Sequence, residues 1–200
     1  MTEHTHPATH SPRATHPLRD GSAPTASTAF APAPAPARSP ARLWLGLVGW
    51  LALAFLTAGI GSIASVQAPQ FYGQLTQPGW APPPSVFGPV WTTLFAMMGV
   101  AAWLAWHQPP SPLRRQALAL FALQLVLNAL WSWLFFQWHL GGWALLDIAA
   151  LWLAVAATLV AFWRLRPLAG ALLLPYLAWI SFAAALNFTL WRMNPQLLGG

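Results

Sequence analysis

The chain has 200 residues, of which 57% are hydrophobic and 6% are charged, and nine arginines against three acidic residues give a net charge of +6. Soluble domains contain roughly 25% charged residues, so this composition excludes a soluble globular fold, which could not cover its surface with so few charges. The absence of cysteine excludes a disulfide scaffold, thiolate metal sites and cysteine catalysis.

The N-terminal segment, residues 1–41, differs in composition from the rest. It contains an alternating Ala-Pro run at 31–37 and four histidines: His4, His6, His10 and His16. Alternating proline fixes φ and removes backbone donors, so we expect a disordered Pro/Ala/His-rich tail without a packed core. The histidines have no second ligand type at a fixed spacing, so we interpret them as solvated and expect no metal site.

Five apolar stretches follow, each with the roughly 20 residues that a membrane-spanning helix needs. They predict helices 1 to 5 at about residues 43–65, 86–106, 116–137, 143–163 and 168–190. Backbone groups in lipid must form hydrogen bonds within their own segment. We therefore expect an all-α, five-helix transmembrane bundle over residues 42–194, followed by a short C-terminal tail at 195–200.

The arginines near these predicted helices fall mainly on one side of the bundle. Six share that side: Arg38, Arg42, Arg114, Arg115, Arg164 and Arg166. Only Arg192 follows helix 5. The positive-inside rule therefore predicts a cytoplasmic N-terminus and a C-terminus outside. The same distribution accounts for the basic charge without a nucleic-acid partner.

Polar and aromatic residues share faces of predicted helices 2 to 5, because residues three or four apart lie on one helix face. The sets are Phe87 with Trp91; Gln124 with Asn128 and Trp131; Trp143 with Asp147; and Trp179 with Ala183 and Asn187. In the predicted topology they lie mainly in the outer half of the bundle, under the uncharged loop 66–85. Aromatic walls with few polar groups are typical of a pocket for a flat, hydrophobic ligand.

Structural roles are the alternative for the same residues. Tryptophans near helix ends serve as interfacial anchors, and Asn128 and Asn187 can be interhelical hydrogen-bond partners. Asp147 can cap a helix or pair within the bundle. A row of small residues in helix 1, formed by Ala54, Ala58 and Ser62, permits close helix contacts within one chain or across a dimer.

Three blocks of motifs support a more specific interpretation. They are PGWAPP at 78–83 with FGPVWT at 87–92, LNALWSWLFF at 127–136 with GWALLD at 142–147, and PYLAWISFA at 175–183 with WRMN at 191–194. Their order and spacing, over about residues 43–194, resemble the TspO/MBR family, which contains tryptophan-rich sensory proteins and translocator (peripheral benzodiazepine receptor) proteins.

This resemblance implies a five-helix bundle, often homodimeric, in what we expect to be a bacterial cell membrane. It implies a non-covalently bound porphyrin or other tetrapyrrole and a role in light-, oxygen- or stress-linked regulation of tetrapyrrole metabolism. Carried over, the ligand-binding residues are Phe87, Trp91, Asn128, Trp143, Leu146, Asp147, Trp179, Ala183 and Leu186, with Trp80 in the loop. Trp131 and Asn187 join them because they share helix faces with members of this set.

The chain departs from the family pattern at two aromatic positions. Ser85 stands where the family usually has Trp, and Phe95 stands where it usually has Tyr. Both changes are expected to alter ligand preference. The stretch 186–192 also lacks the tyrosine of the cholesterol-type motif, so cholesterol binding is not expected.

Three functions remain open at this point. We favour a porphyrin-binding membrane receptor or sensor. A transporter of tetrapyrroles or other small hydrophobic molecules is the alternative, although we find no internal repeat of the kind common in transporters. Light-dependent porphyrin degradation is a second alternative, in which Trp91 and Trp179 would carry the chemistry, because no acid–base, nucleophile or metal constellation is evident in the sequence.

Overall fold

The computed structural model describes the backbone of residues 40–199 and the side chains of residues 41–199. The predicted N-terminal tail therefore lies outside the described residues, except for Pro40 and Ala41, which begin the first helix. The four tail histidines and Arg38 also lie outside them.

The described residues form seven α-helices and, between residues 40 and 199, no strand. The helices are α1 (Pro40–Ala64), α2 (Ala68–Gln74), α3 (Phe87–Trp106), α4 (Pro112–Ser132), α5 (Gly141–Leu165), α6 (Pro167–Ala171) and α7 (Leu174–Met193). A 3₁₀ turn (Pro84–Val86) precedes α3 and a π-helical turn (Trp133–Gln137) follows α4.

Five segments are long and apolar enough to cross a membrane. They are Ala41–Ala64, Pro84–Trp106, Pro112–Gln137, Gly141–Leu165 and Pro167–Met193. These segments confirm the predicted all-α fold with five membrane spans. Helix α2 adds a short element that the hydropathy pattern did not predict.

The third span begins earlier than the predicted residue 116 because local capping extends it. Ser111 is the N-cap of α4, and its Oγ accepts a hydrogen bond from the Arg114 backbone nitrogen at 3.1 Å. The Arg114 guanidinium donates to the carbonyl oxygens of Trp106 and Gln108 at 3.2 and 2.7 Å. The side chain of Arg114 thus caps the end of α3, while its backbone nitrogen takes part in the N-cap of α4.

The fifth span is broken between α6 and α7, where a continuous helix was predicted. Pro175 lies in the first turn of α7. Proline lacks a backbone donor, and its ring clashes with the carbonyl four residues earlier, here that of Ala171. The chain therefore makes a turn at residues 172–173 before the helix resumes.

Close helix contacts establish which ends of the bundle lie together. The Trp103 indole nitrogen, near the end of α3, donates to the Leu43 carbonyl at the start of α1 at 3.1 Å. The two helices approach so closely that a Cβ on Gly99 would lie 3.0 Å from the Leu51 Cα atom. Because α4 starts and α5 ends on this same side, Arg42, Arg114, Arg115, Arg164 and Arg166 share one end of the bundle.

The segment between α1 and α3 folds over the opposite end. The Tyr72 hydroxyl of α2 donates to the Pro82 carbonyl at 3.3 Å, and the Gln77 side chain donates to the Tyr72 carbonyl at 2.6 Å. Burial raises the pKa of the Tyr72 phenol, which keeps it protonated as a donor. Asn194 binds both backbone groups of Thr76, at 2.8 and 2.9 Å, and so ties this segment to the end of α7.

Candidate functional site

A cavity of about 570 Å³ lies inside the bundle beneath the segment that contains α2. Side chains from α1, α2, α3, α4 and α7 line it. Its volume falls within the range of small-molecule sites, roughly 300–1,000 Å³. Ser62 of α1 and Thr92 of α3 line the cavity and are exposed, so the cavity opens between these two helices.

One part of the cavity wall consists of packed aromatic rings. The rings of Trp91 and Trp179 meet edge to face, with centroids 6.3 Å apart and an interplanar angle of 88°. Phe87 packs edge-on against Trp179 at 5.9 Å, and Tyr72 packs against Phe87 at 5.8 Å. Edge-to-face packing fixes ring orientation, so these rings form an ordered aromatic wall.

Helix α1 lines the cavity mainly with small residues. They are Thr57, Ala58, Gly59, Gly61 and Ser62, and Ser65 lines the cavity just after the helix ends. A Cβ on Gly61 would lie 3.1 Å from the Ser132 Oγ atom, so glycine allows α1 to approach the end of α4. Small side chains on α1 leave the space that the aromatic rings of α3 and α7 border.

The buried side-chain amides of Asn128 and Asn187 form hydrogen bonds to aromatic residues at the cavity. Asn128 lines the cavity, and its side-chain nitrogen donates to the Tyr176 hydroxyl at 2.9 Å. The Trp131 indole donates to Asn187 at 3.1 Å, and Asn187 donates in turn to the Gly141 carbonyl at 3.0 Å. These bonds join α4, α5 and α7 and fix the orientation of Trp131.

The Trp179 indole nitrogen is a donor without an acceptor. Trp179 lines the cavity, and its Nε1 atom is buried and makes no hydrogen bond to any described residue. Buried polar groups in proteins are almost always hydrogen-bonded, and the exceptions need a reason. An acceptor atom on a bound ligand would supply the missing partner.

Six of the twelve residues expected at a ligand site line the cavity. They are Phe87, Trp91, Asn128, Trp131, Trp179 and Ala183. Phe95, where the family resemblance led us to expect tyrosine, also lines it and packs against Trp91 at 5.7 Å. Ser85, where it led us to expect tryptophan, is exposed.

The three expected residues of α5 do not line the cavity. Trp143 and Leu146 are 59% and 63% exposed, whereas Asp147 is buried and its Oδ2 atom has no partner among the described residues. Trp143 and Asp147 are four apart, which the sequence interpretation took as one face. Residues i and i+4 are offset by about 40° around a helix, and the boundary between exposed and buried faces falls between these two.

The remaining three expected residues do not line the cavity. Leu186 is buried in an apolar cluster with Phe135 and Leu190, and Asn187 holds Trp131 as described. Trp80 is half exposed in the loop and packs edge-on against Phe182 at 5.8 Å.

Sequence reasoning missed the contribution of α1, because it placed the pocket among predicted helices 2 to 5. The signal was present as the row of small residues that includes Ala58 and Ser62. Small residues every four positions indicate a close approach, but they do not reveal whether a helix or a cavity occupies the space. Only the placement of α1 beside α3 and α4 decides this.

Residues 44–192 match the model of the TspO/MBR family. The chain is 38% identical over 160 residues to the human translocator protein, and the aligned residues cover 78% of this chain and 95% of that relative. It is 41% identical over 150 residues to a tryptophan-rich protein TspO from Chlorobaculum tepidum, covering 70% of this chain and 92% of that protein.

A third relative is the tryptophan-rich sensory protein from Cereibacter sphaeroides, which is 37% identical over 151 residues, covering 76% of this chain and 92% of the relative. The family match spans all five apolar helices, from the first turns of α1 to the last turn of α7. The chain is therefore an integral membrane protein that belongs to the TspO/MBR family.

Proposed function

We propose that this protein is a membrane receptor or sensor that binds a porphyrin in the cavity between α1, α3, α4 and α7. The free Trp179 indole nitrogen is the observation that carries the proposal, because it gives an apolar cavity a specific donor for a ligand acceptor. Aromatic rings beside it suit the face or edge of a planar macrocycle. Regulation of tetrapyrrole or stress metabolism would follow from occupancy of this cavity.

Titration of the purified full-length protein in detergent with protoporphyrin tests this proposal. Tryptophan fluorescence should be quenched in a saturable manner, because Trp91, Trp131 and Trp179 all line the cavity. We expect Ser62→Phe to weaken binding at least tenfold, since its ring would occupy the cavity opening.

Ala52→Phe on the same helix is the matched control, because Ala52 is also exposed but does not line the cavity. Its affinity should stay within twofold of the unsubstituted chain. Absence of saturable quenching, or equal affinities for the two variants, would refute porphyrin binding at this site.

Transport is a second candidate function, favoured by the name translocator protein that the human relative carries and by the opening between α1 and α3. Proteoliposomes that contain the purified chain should then move a tetrapyrrole across the bilayer faster than protein-free vesicles. Ser62→Phe should abolish this difference. Binding without flux would leave the receptor as the function.

A homodimer is also proposed, from the family resemblance and the exposed apolar face of α1. Trp44, Leu45, Val48, Leu56 and Ile63 on that helix are each at least 60% exposed, so the surface can face lipid or a second copy. The mass of the protein–detergent complex, measured by light scattering, should equal that of two chains after subtraction of the detergent. A mass of one chain would exclude the dimer in that detergent.

A further inference from the structure

A second depression lies on the surface of the bundle, at the end that carries the arginines. It forms a groove of about 470 Å³ between the start of α4 and the end of α5. Its apolar lining consists of Leu113, Leu120, Ala156, Ala157, Val160 and Ala161, and its polar lining of Gln116 and Arg164. None of these residues lines the central cavity, so the two sites are separate.

The groove exists because α5 presents alanine where α4 presents longer side chains. Ala156, Ala157 and Ala161 each offer only a methyl group toward Leu113 and Leu120. Farther along the two helices, Leu125 of α4 and Ile148 of α5 are buried in the same apolar cluster. An apolar groove therefore remains on the surface of the bundle, and Val160 in its lining is 48% exposed.

One end of the groove is basic, and no carboxylate of residues 41–199 lies near it. Arg164 lines it and is exposed, and exposed Arg115 is next to Gln116 in the first turn of α4. Arg114 is committed to the carbonyls at the end of α3. Asp147, the single acidic residue between positions 41 and 199, lies about 25 Å from Arg164 along α5, at 1.5 Å per residue.

We propose that this groove binds an anionic phospholipid, with one acyl chain against the alanines of α5 and the phosphate beside Arg164 and Arg115. An apolar groove suits a chain of methylene groups, while guanidinium groups bind phosphate in a bidentate manner. Basic pockets between transmembrane helices are recognised sites for anionic headgroups. The groove and its arginines thus match the two parts of one lipid molecule.

Native mass spectrometry of the full chain tests this proposal. The protein is released from detergent micelles that contain equal amounts of phosphatidylglycerol and phosphatidylcholine. The mass added to each protein ion identifies which lipid is bound and how many copies remain. We expect one phosphatidylglycerol to be retained in preference to phosphatidylcholine. Each surface arginine contributes about 1 kcal/mol to anionic lipid binding, so Arg164→Gln should lower that preference about fivefold.

Two matched pairs separate a groove from general attraction to a basic surface. Arg192→Gln removes an exposed arginine at the opposite end of the bundle and should leave the preference unchanged. Ala157→Leu fills the groove and should reduce lipid retention about fivefold, whereas Ala150→Leu, at another exposed alanine of α5 outside the groove, should not.

Three results would overturn the proposal. The first is equal retention of the two lipids. The second is an equal effect of Arg164→Gln and Arg192→Gln. The third is that Ala157→Leu changes the ratio of dimer to monomer in the mass spectrum while lipid retention stays unchanged. That result would assign the groove to a second copy of the chain. Porphyrin quenching measured on the same variants should be unaltered, because the groove is separate from the cavity.

Discussion

Trp179 and Trp131 both line the cavity, but their indole nitrogens differ in hydrogen bonding. Trp131 donates to Asn187, so its orientation is fixed by the protein, whereas the Trp179 nitrogen is buried without a partner among residues 41–199. Leaving a buried donor unpaired costs roughly 1–3 kcal/mol. That cost is recovered when a ligand acceptor binds, so Trp179 is placed to stabilise the occupied state.

Trp179→Phe should therefore weaken porphyrin binding while retaining the folded protein. Phenylalanine keeps an aromatic ring in the wall but removes the donor, and a net hydrogen bond of about 1 kcal/mol corresponds to a roughly fivefold loss of affinity. Because the substitution also removes a quenched fluorophore, the affinity is measured by porphyrin absorbance rather than by emission.

Trp44→Phe is the control for this variant, since Trp44 is 68% exposed and does not line the cavity. Its affinity should equal that of the unsubstituted chain. An unchanged affinity in Trp179→Phe would show that its indole nitrogen does not bind the ligand.

At the scale of elements, contacts between small residues set how α1 joins the bundle. Most of α1 is exposed, and its position depends on a few close contacts with α3 and α4. Gly99 of α3 is buried, and a Cβ there would lie 2.7 Å from the Leu51 Cδ2 atom and 3.0 Å from its Cα atom. A side-chain rotation can relieve the first contact, but the second requires a shift of the α1 backbone.

Gly99→Ala should therefore destabilise the protein even though alanine is the better helix former. Overpacking a close contact costs about 1–3 kcal/mol, and the contact with the Leu51 Cα atom places Gly99 toward the upper part of that range, above the gain of about 1 kcal/mol in helix propensity. The midpoint of thermal unfolding in detergent should fall. Since α1 borders the cavity, porphyrin affinity should fall with it.

Gly49→Ala provides the comparison within α1, where an added Cβ would meet nothing within 4 Å. Only the propensity gain applies there, so its midpoint should stay equal or rise. Equal midpoints for Gly99→Ala and Gly49→Ala would contradict the close contact between α1 and α3.

For the molecule as a whole, the uneven distribution of arginines between the two ends of the bundle predicts its orientation in the membrane. Five of the arginines among the described residues share one end of the bundle, and Arg192 alone lies at the other. Short loops rich in arginine stay on the cytoplasmic side. We therefore propose that the α3–α4 loop is cytoplasmic and that the segment over the cavity faces outward.

Single-cysteine labelling tests this topology, and a chain without native cysteine needs no further substitution. Ser85→Cys, in the exposed segment over the cavity, should react with a membrane-impermeant maleimide on intact cells. Pro110→Cys, exposed in the α3–α4 loop, should react only after permeabilisation. The reverse pattern would show that the bundle is inserted in the opposite direction.

The sequence by itself determined the fold class and the number of spans, because a bilayer requires long apolar stretches whose backbones form internal hydrogen bonds. It also collected Phe87, Trp91, Asn128, Trp131, Trp179 and Ala183, since spacing of three or four reveals which residues share a face. Spacing does not reveal which side of a face is buried, and so Trp143 joined the same set although it is exposed. Leu146, which is exposed as well, was expected at the site from the family resemblance alone.

Only the tertiary structure decided that α1, rather than α5, completes the cavity. The rotation of α5 follows from burial of Asp147, Ile148 and Leu151 against its neighbours, which turns Trp143 outward. The position of α1 follows from the contact between Gly99 and Leu51. Both depend on side chains far apart in the chain meeting at close range, and helical periodicity carries no information about such contacts.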